Sequence, residues 1–195
     1  MVNSNLVPYD GELYLVRAFY KQQEADALMT ILSTELDWQQ EDIIIAGKSV
    51  SIPRLMCWYS EPGAVYRYSG VDHVPVTLTE SLTRIQQQIQ NYCQHRFNSV
   101  LGNLYRNGDD SMGWHADKEK ELGINPTIAS LSFGEQRLFK MRHNKTKELL
   151  DLQLQHGDLL LMSGTLQHHW RHCLPKTRKP KQPRINLTFR QILSA

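Results

Sequence analysis

Trp114-His115-Ala116-Asp117 sets an imidazole and a carboxylate two residues apart, and three more histidines follow in the run His168-His169-Trp170-Arg171-His172. In a β-strand, residues i and i+2 project from the same face, so His115 and Asp117 aim at a common point. A second imidazole from another strand completes a set of two histidines and one carboxylate. Such a set covers one face of an octahedral ion and leaves three adjacent positions open, the arrangement that non-haem Fe(II) oxygenases use for a co-substrate and O2. Strand alternation in the later run puts His168, Trp170 and His172 on one face and His169, Arg171 and Cys173 on the other. Both His168 and His172 therefore stand as candidates for the third ligand.

The co-substrate is suggested by Arg184-Ile185-Asn186-Leu187-Thr188-Phe189-Arg190. Read as a strand, Arg184, Asn186, Thr188 and Arg190 share one face and Ile185, Leu187 and Phe189 the other. Two inward guanidinium groups without acidic neighbours carry a large desolvation cost unless an anion meets them. Arginine's planar fork grips a carboxylate through paired, charge-assisted hydrogen bonds, so a bound dicarboxylate satisfies both. Asn103 and Tyr105, also two apart, point toward the same ligand. A zinc hydrolase would also use two histidines and an aspartate. It has no evident need for a dicarboxylate clamp.

The elements that must hold these residues follow from periodicity. Apolar residues at helical spacing predict helices over Lys21–Leu36 and Leu78–Tyr92, each with one face for a sheet. From Phe97 onward the pattern changes to short runs rich in β-branched and aromatic residues: Phe97–Tyr105, Thr127–Phe133, Arg137–Arg142, Leu149–Gln155, Asp158–Met162, His168–Leu174 and Arg184–Ile192. Turn signals such as Asn107-Gly108 and His156-Gly157 separate them. The expected fold is mainly β with a helical buttress (α+β), a double-stranded β-helix or jelly-roll, in one domain over 1–195. Within it, about 1–95 supplies helices and a lid, and about 96–195 the jelly-roll core. Ile43–Val50 and Arg54–Ser60 read as a hairpin, followed by an aromatic segment, Tyr66-Arg67-Tyr68, suited to a substrate lid.

Composition narrows the setting. Cys57, Cys93 and Cys173 are odd in number and far apart, which speaks against a disulfide framework. The N-terminus lacks a secretory pattern and no apolar run reaches membrane-spanning length, so an intracellular monomer without membrane contact is expected, cytoplasmic in a bacterium and nuclear or cytoplasmic in a eukaryote. The net charge is only +2, but Asp158 is the last acidic residue and seven of the 22 Lys and Arg lie beyond it. Charge of one sign confined to one stretch, including Lys176, Arg178, Lys179 and Lys181, suggests local contact with a polyanion.

The chain resembles the AlkB family of Fe(II)- and 2-oxoglutarate-dependent dioxygenases from Pro53 to Arg190, through Asn103-Leu104-Tyr105-Arg106-Asn107, Trp114-His115-Ala116-Asp117, Ile128 to Gly134, His156-Gly157 and, most specifically, Arg184 to Arg190. The resemblance assigns iron to His115, Asp117 and His172, and 2-oxoglutarate contacts to Asn103, Tyr105, Arg184, Asn186, Thr188 and Arg190. Tyr66 and Tyr68 match the aromatic pair that faces a flipped base, and Glu119 an acidic residue at the substrate pocket. The implied chemistry consumes 2-oxoglutarate and O2, and removes a methyl group from 1-methyladenine or 3-methylcytosine with release of formaldehyde, succinate and CO2. A base methylated on its pairing edge must leave the stack to be reached. Members specialised for duplex DNA carry a longer basic loop where this chain has only His143-Asn144-Lys145-Thr146-Lys147-Glu148. Single-stranded DNA is therefore the expected substrate, with RNA or protein substrates of the same cofactor class as the alternative.

Overall fold

The computed structural model describes residues 4–45, 47–62, 66–68, 71–73, 76–179 and 181–193; the side chains of 45, 66–68 and 71–73 are not among them. After β1 (Glu12–Val16), the chain forms α1 (Gln22–Glu35), which buries Ala25, Leu28 and Leu32 against a sheet. A long hairpin follows, β2 (Gln39–Ile45) and β3 (Lys48–Ser60), then β4 (Tyr66–Tyr68), β5 (Val71–His73) and β6 (Val76–Thr77). α2 (Glu80–Cys93) starts at Thr79, whose hydroxyl accepts the Leu82 N–H at 3.2 Å, and stops at Gln94 in the left-handed region (φ 52°). Leu82, Ile85 and Ile89 on its inner face are fully buried. Each such side chain stabilises the packing by about 1.5–3 kcal/mol. Tyr92, expected on that face, is instead 47% exposed and meets Phe19 edge-on.

The remaining strands are β7 (Ser99–Tyr105), β8 (Met112–His115), β9 (Ile128–Gly134), β10 (Arg137–His143), β11 (Leu149–Leu154), β12 (Leu159–Ser163), β13 (Trp170–Leu174) and β14 (Arg184–Arg190), with a one-turn helix α3 (Leu166–His169) before β13. The large sheet runs β1-β12-β9-β14-β7-β3-β2, with β6 joined in parallel to β3; the small sheet runs β11-β10-β13-β8, and β4 pairs with β5. α1 and α2 pack on the outer face of the large sheet, and the inner faces of both sheets enclose a second core and a cavity. This is the expected jelly-roll.

β14 lies between β7 and β9 and is buried along its whole length. Ile185, Leu187 and Phe189 enter the core under the helices, so Arg184, Asn186, Thr188 and Arg190 are forced toward the small sheet. At Gly157 (φ +79°) a Cβ would come 2.1 Å from the Tyr20 carbonyl oxygen, so the His156-Gly157 turn can press directly on the entry to α1.

Three expectations about elements are corrected. The β2–β3 ladder runs from the Gln39–Met56 pair to the Ile45–Lys48 pair, so Ile43–Val50 spans the closed end of the hairpin instead of forming one arm. His168 and His169 lie on α3, not on a strand, because Gly164 (φ +61°) turns the chain into a helical turn that buries Leu166 and Gln167 and leaves His168 exposed. Asp117 stands two residues beyond the end of β8, so strand alternation alone does not aim it.

Candidate active site

β8 and β13 pair with His172 opposite His115 and Leu174 opposite Met112, leaving Gly113 and Trp114 together opposite Cys173. This bulge shifts the phase of β8, so Met112 and His115 both face the cavity while Trp114 is left 36% exposed. His115, Asp117 and His172 thereby come together, their ligand atoms all within 4.8 Å of one another. The His115 and His172 rings lie 4.1 Å apart, and Phe139 stacks on the His172 ring at 5.2 Å. His168 is elsewhere: its Nε2 meets the Ile124 carbonyl at 2.5 Å and Asn125 Oδ1 at 3.0 Å.

Hydrogen bonds behind these side chains set their chemical state. His115 Nδ1 is 2.8 Å from the Gly113 carbonyl oxygen, which can only accept, so Nδ1 carries the proton and Nε2 keeps its lone pair. The Asp117 backbone N–H donates to Gln167 Oε1 at 3.0 Å, which fixes the carboxylate beyond the strand end. Arg190 Nη2 donates to Asp117 Oδ1 at 2.6 Å. Burial pushes the Asp117 pKa up, but the charges around it, Arg190 foremost, outweigh this and hold the group below the usual carboxylate range. Burial, then the neighbouring His115, brings His172 down to about 3, so its ring is neutral and able to donate a lone pair. Two imidazole rings and one carboxylate suit a divalent cation.

The cavity, about 50 Å³, continues from this cluster to Arg184. Arg184 is 2% exposed, donates to Ser132 Oγ at 2.9 Å and lies 5.4 Å from the Tyr105 ring, while its buried Nε has no hydrogen-bond partner among the described residues. Burial brings its pKa down to about 10. A buried guanidinium in this state lacks an anion, and a carboxylate fits the gap. Arg190 differs from the expectation: it already has an acidic neighbour, Asp117, because β14 carries it to the metal-ligand end. Between the two, Asn186 Nδ2 donates to Ser130 Oγ and the Leu131 carbonyl, and Thr188 Oγ1 to Asn186 Oδ1 at 3.3 Å. Asn103 Oδ1 accepts from Arg54 Nε at 2.6 Å, which turns the Asn103 amide nitrogen away from Arg54.

Of the other expected residues, those whose side chains are described do not line the cavity. Glu119 caps the short turn Lys120–Leu122 and is not among the lining residues. Lys176, Arg178 and Lys179 are exposed, whereas Lys181 is tied to Glu135 at 2.9 Å and so is the least available of the four. The side chains of Tyr66 and Tyr68 lie outside the described residues; their backbones pair with His73 and Val71. Arg54, Ser130, Ser132 and Gln167 were not anticipated. Only Arg54 had a visible signal, a charge inside an otherwise apolar strand.

Residues 12–190 match the 2OG-Fe(II) oxygenase superfamily. The chain is 39% identical over 188 residues to the bovine alpha-ketoglutarate-dependent dioxygenase alkB homolog 3, covering 91% of this chain and 65% of that protein. It is 36% identical over 185 residues to the mouse DNA oxidative demethylase ALKBH2, covering 89% of this chain and 77% of that protein. The solved structure of OsALKBH1, at 18% identity, shares the fold with a TM-score of 0.65 over 92% of this chain and 97% of that one. No helix among the described residues is long and apolar enough to cross a membrane. With a superfamily match over nearly its whole length, and these relatives, the chain belongs to the AlkB family of 2OG-Fe(II) oxygenases.

Proposed function

We propose that this chain is an Fe(II)- and 2-oxoglutarate-dependent oxidative demethylase that repairs N-alkylated bases, 1-methyladenine and 3-methylcytosine, preferring single-stranded DNA. The observation that carries the reading is Arg184, fully buried with an unpartnered Nε, in the same cavity as the His115, Asp117 and His172 cluster. When bound, iron, 2-oxoglutarate and O2 supply the oxidation of the alkyl C–H bond, with succinate, CO2 and formaldehyde as products. His115, Asp117 and His172 hold the metal. Arg184 grips the far carboxylate of 2-oxoglutarate, with Tyr105 against its guanidinium. Asn103, Asn186, Thr188 and Arg190 line the path between. Arg190 keeps Asp117 ionised, and Phe139 and Met112 exclude water from the cluster.

For the substrate, Tyr66 and Tyr68 on the β4–β5 hairpin provide stacking surfaces for a base that has left its helix, with Glu119 as an acidic contact to the base and Lys176, Arg178, Lys179 and Lys181 meeting the phosphates. The preference for single strands rests on the β10–β11 turn, where the His143 and Glu148 backbones bond directly at 2.9 Å. A turn so short has no reach toward a partner strand. The test is anaerobic reconstitution with Fe(II) and 2-oxoglutarate, then O2 and matched single-stranded and duplex methylated oligonucleotides at one salt concentration. Succinate and formaldehyde should form together, faster on the single strand. Succinate without formaldehyde on any methylated DNA or RNA rejects the substrate, and a duplex preference rejects the reading of the turn.

A further inference from the structure

The outer face of the small sheet carries a second feature, beside the cavity and outside it. The β8 bulge that turns His115 inward sets Trp114 outward, 36% exposed, and the Arg142 guanidinium lies 4.8 Å from its ring centroid. Arg142 stands directly opposite Arg171 in the β10–β13 ladder. Like charges facing each other across a ladder destabilise it, so the pair calls for an anion. The neighbouring Lys140 is already neutralised by Asp151 at 2.6 Å. Among the described residues, neither Arg142 nor Arg171 makes an ion pair.

We propose that Trp114, Arg142 and Arg171 form a track for the backbone of a single-stranded nucleic acid, which crosses the small sheet and delivers its base to the cavity mouth at His115. The inference rests on the reading of the chain as an enzyme of nucleic acid. A phosphate between the two guanidinium groups relieves their repulsion, and the indole edge left open by Arg142 offers a surface for a neighbouring base or sugar. A protein partner would leave the unpaired arginine ladder unexplained unless it were strongly acidic.

The experiment titrates a labelled single-stranded oligodeoxynucleotide carrying one methylated base into the Fe(II)- and 2-oxoglutarate-loaded protein without O2, at several salt concentrations. Combining R142Q with R171Q should flatten the slope of log affinity against log salt by about 0.7, the value for one phosphate contact on a single strand. W114A should weaken binding about fivefold or more at nearly unchanged slope. Replacing both arginines by lysine should restore the slope, and 2-oxoglutarate affinity should be the same in every variant, which separates lost contacts from lost folding. If the wild-type protein binds and repairs the oligonucleotide while the glutamine variants keep its affinity and slope, the track is overturned and the functional reading stands. If the wild-type protein binds no single strand, DNA or RNA, both fall together.

Discussion

Two clusters of two histidines and an aspartate occur among the described residues, His115 with Asp117 and His172, and His143 with Asp10 and His169, and both gather their ligand atoms within 4.8 Å. Proximity does not distinguish them; the hydrogen bonds behind them do. At His115 a carbonyl accepts from Nδ1 and frees the Nε2 lone pair. At His143 the Thr146 backbone N–H donates to Nδ1 at 3.1 Å, so the proton sits on Nε2 and is given to Asp10 at 3.2 Å. The first imidazole presents a lone pair to a buried cavity, whereas the second has none to offer. Asp10, in the left-handed region (φ 56°), together with Tyr9 edge-on to His143, fastens the N-terminal segment to the small sheet. The outer shell of hydrogen bonds thus separates a candidate metal site from a structural clasp.

The largest effect that could break this comparison is loss of metal. Asp117→Ala and His172→Ala should abolish iron retention and turnover together, while Asp10→Ala, His168→Ala and His169→Ala keep both, as read by metal analysis beside product formation. Iron lost from His169→Ala, or kept in His172→Ala, would reverse the assignments. Next in size, Arg184→Ala should weaken 2-oxoglutarate binding about thirty-fold or more, since removing one partner of a buried charged contact costs about 2–5 kcal/mol. An unchanged dissociation constant would take Arg184 out of the co-substrate site.

How much of this was readable beforehand depends on the kind of signal. β14 was legible from its first residue and was expected two residues too far, to Ile192, because the strict alternation of Arg184 to Arg190 marks a strand with one apolar and one polar buried face. α1 and α2 were legible within two residues because each repeats one apolar face at helical spacing. The candidate third ligand was not, since periodicity extended β13 back over His168 and only tertiary burial of Leu166 and Gln167 makes that stretch a helical turn. Asp117 was grouped correctly with His115 on an incomplete argument: it is aimed by Gln167 and Arg190, which are 50 and 73 positions away. The phase shift that sends Trp114 outward is a bulge, invisible to a period-two reading.

A stability effect without a catalytic one is expected at the second cluster. His143 is 1% exposed, with Trp170 edge-on at 5.0 Å and both ring nitrogens hydrogen-bonded. His143→Ala leaves the Thr146 N–H without its acceptor and should lower unfolding stability by about 1–3 kcal/mol. Denaturant unfolding measures this, and the iron content of the folded variant should equal that of the wild type. A drop in iron with no drop in stability would make the clasp a metal site after all.

The smallest change tests what sets the His143 tautomer. Thr146 offers Nδ1 two groups, its backbone N–H at 3.1 Å and its hydroxyl at 3.0 Å, and the hydroxyl also meets Tyr9 at 2.9 Å. An amide can only donate, so it forces Nδ1 to accept; a hydroxyl can do either and forces nothing. Thr146→Val removes the hydroxyl and keeps the amide. Tyr9 still has Glu148 as acceptor at 2.6 Å, so the cost should stay near 0.5–1.5 kcal/mol. The ring nitrogen chemical shifts of His143 should keep the Nε2–H pattern, and zinc titrated into the variant should occupy one site, as in the wild type. A flipped tautomer with a second zinc bound would show that the hydroxyl, not the amide, keeps the second cluster free of metal.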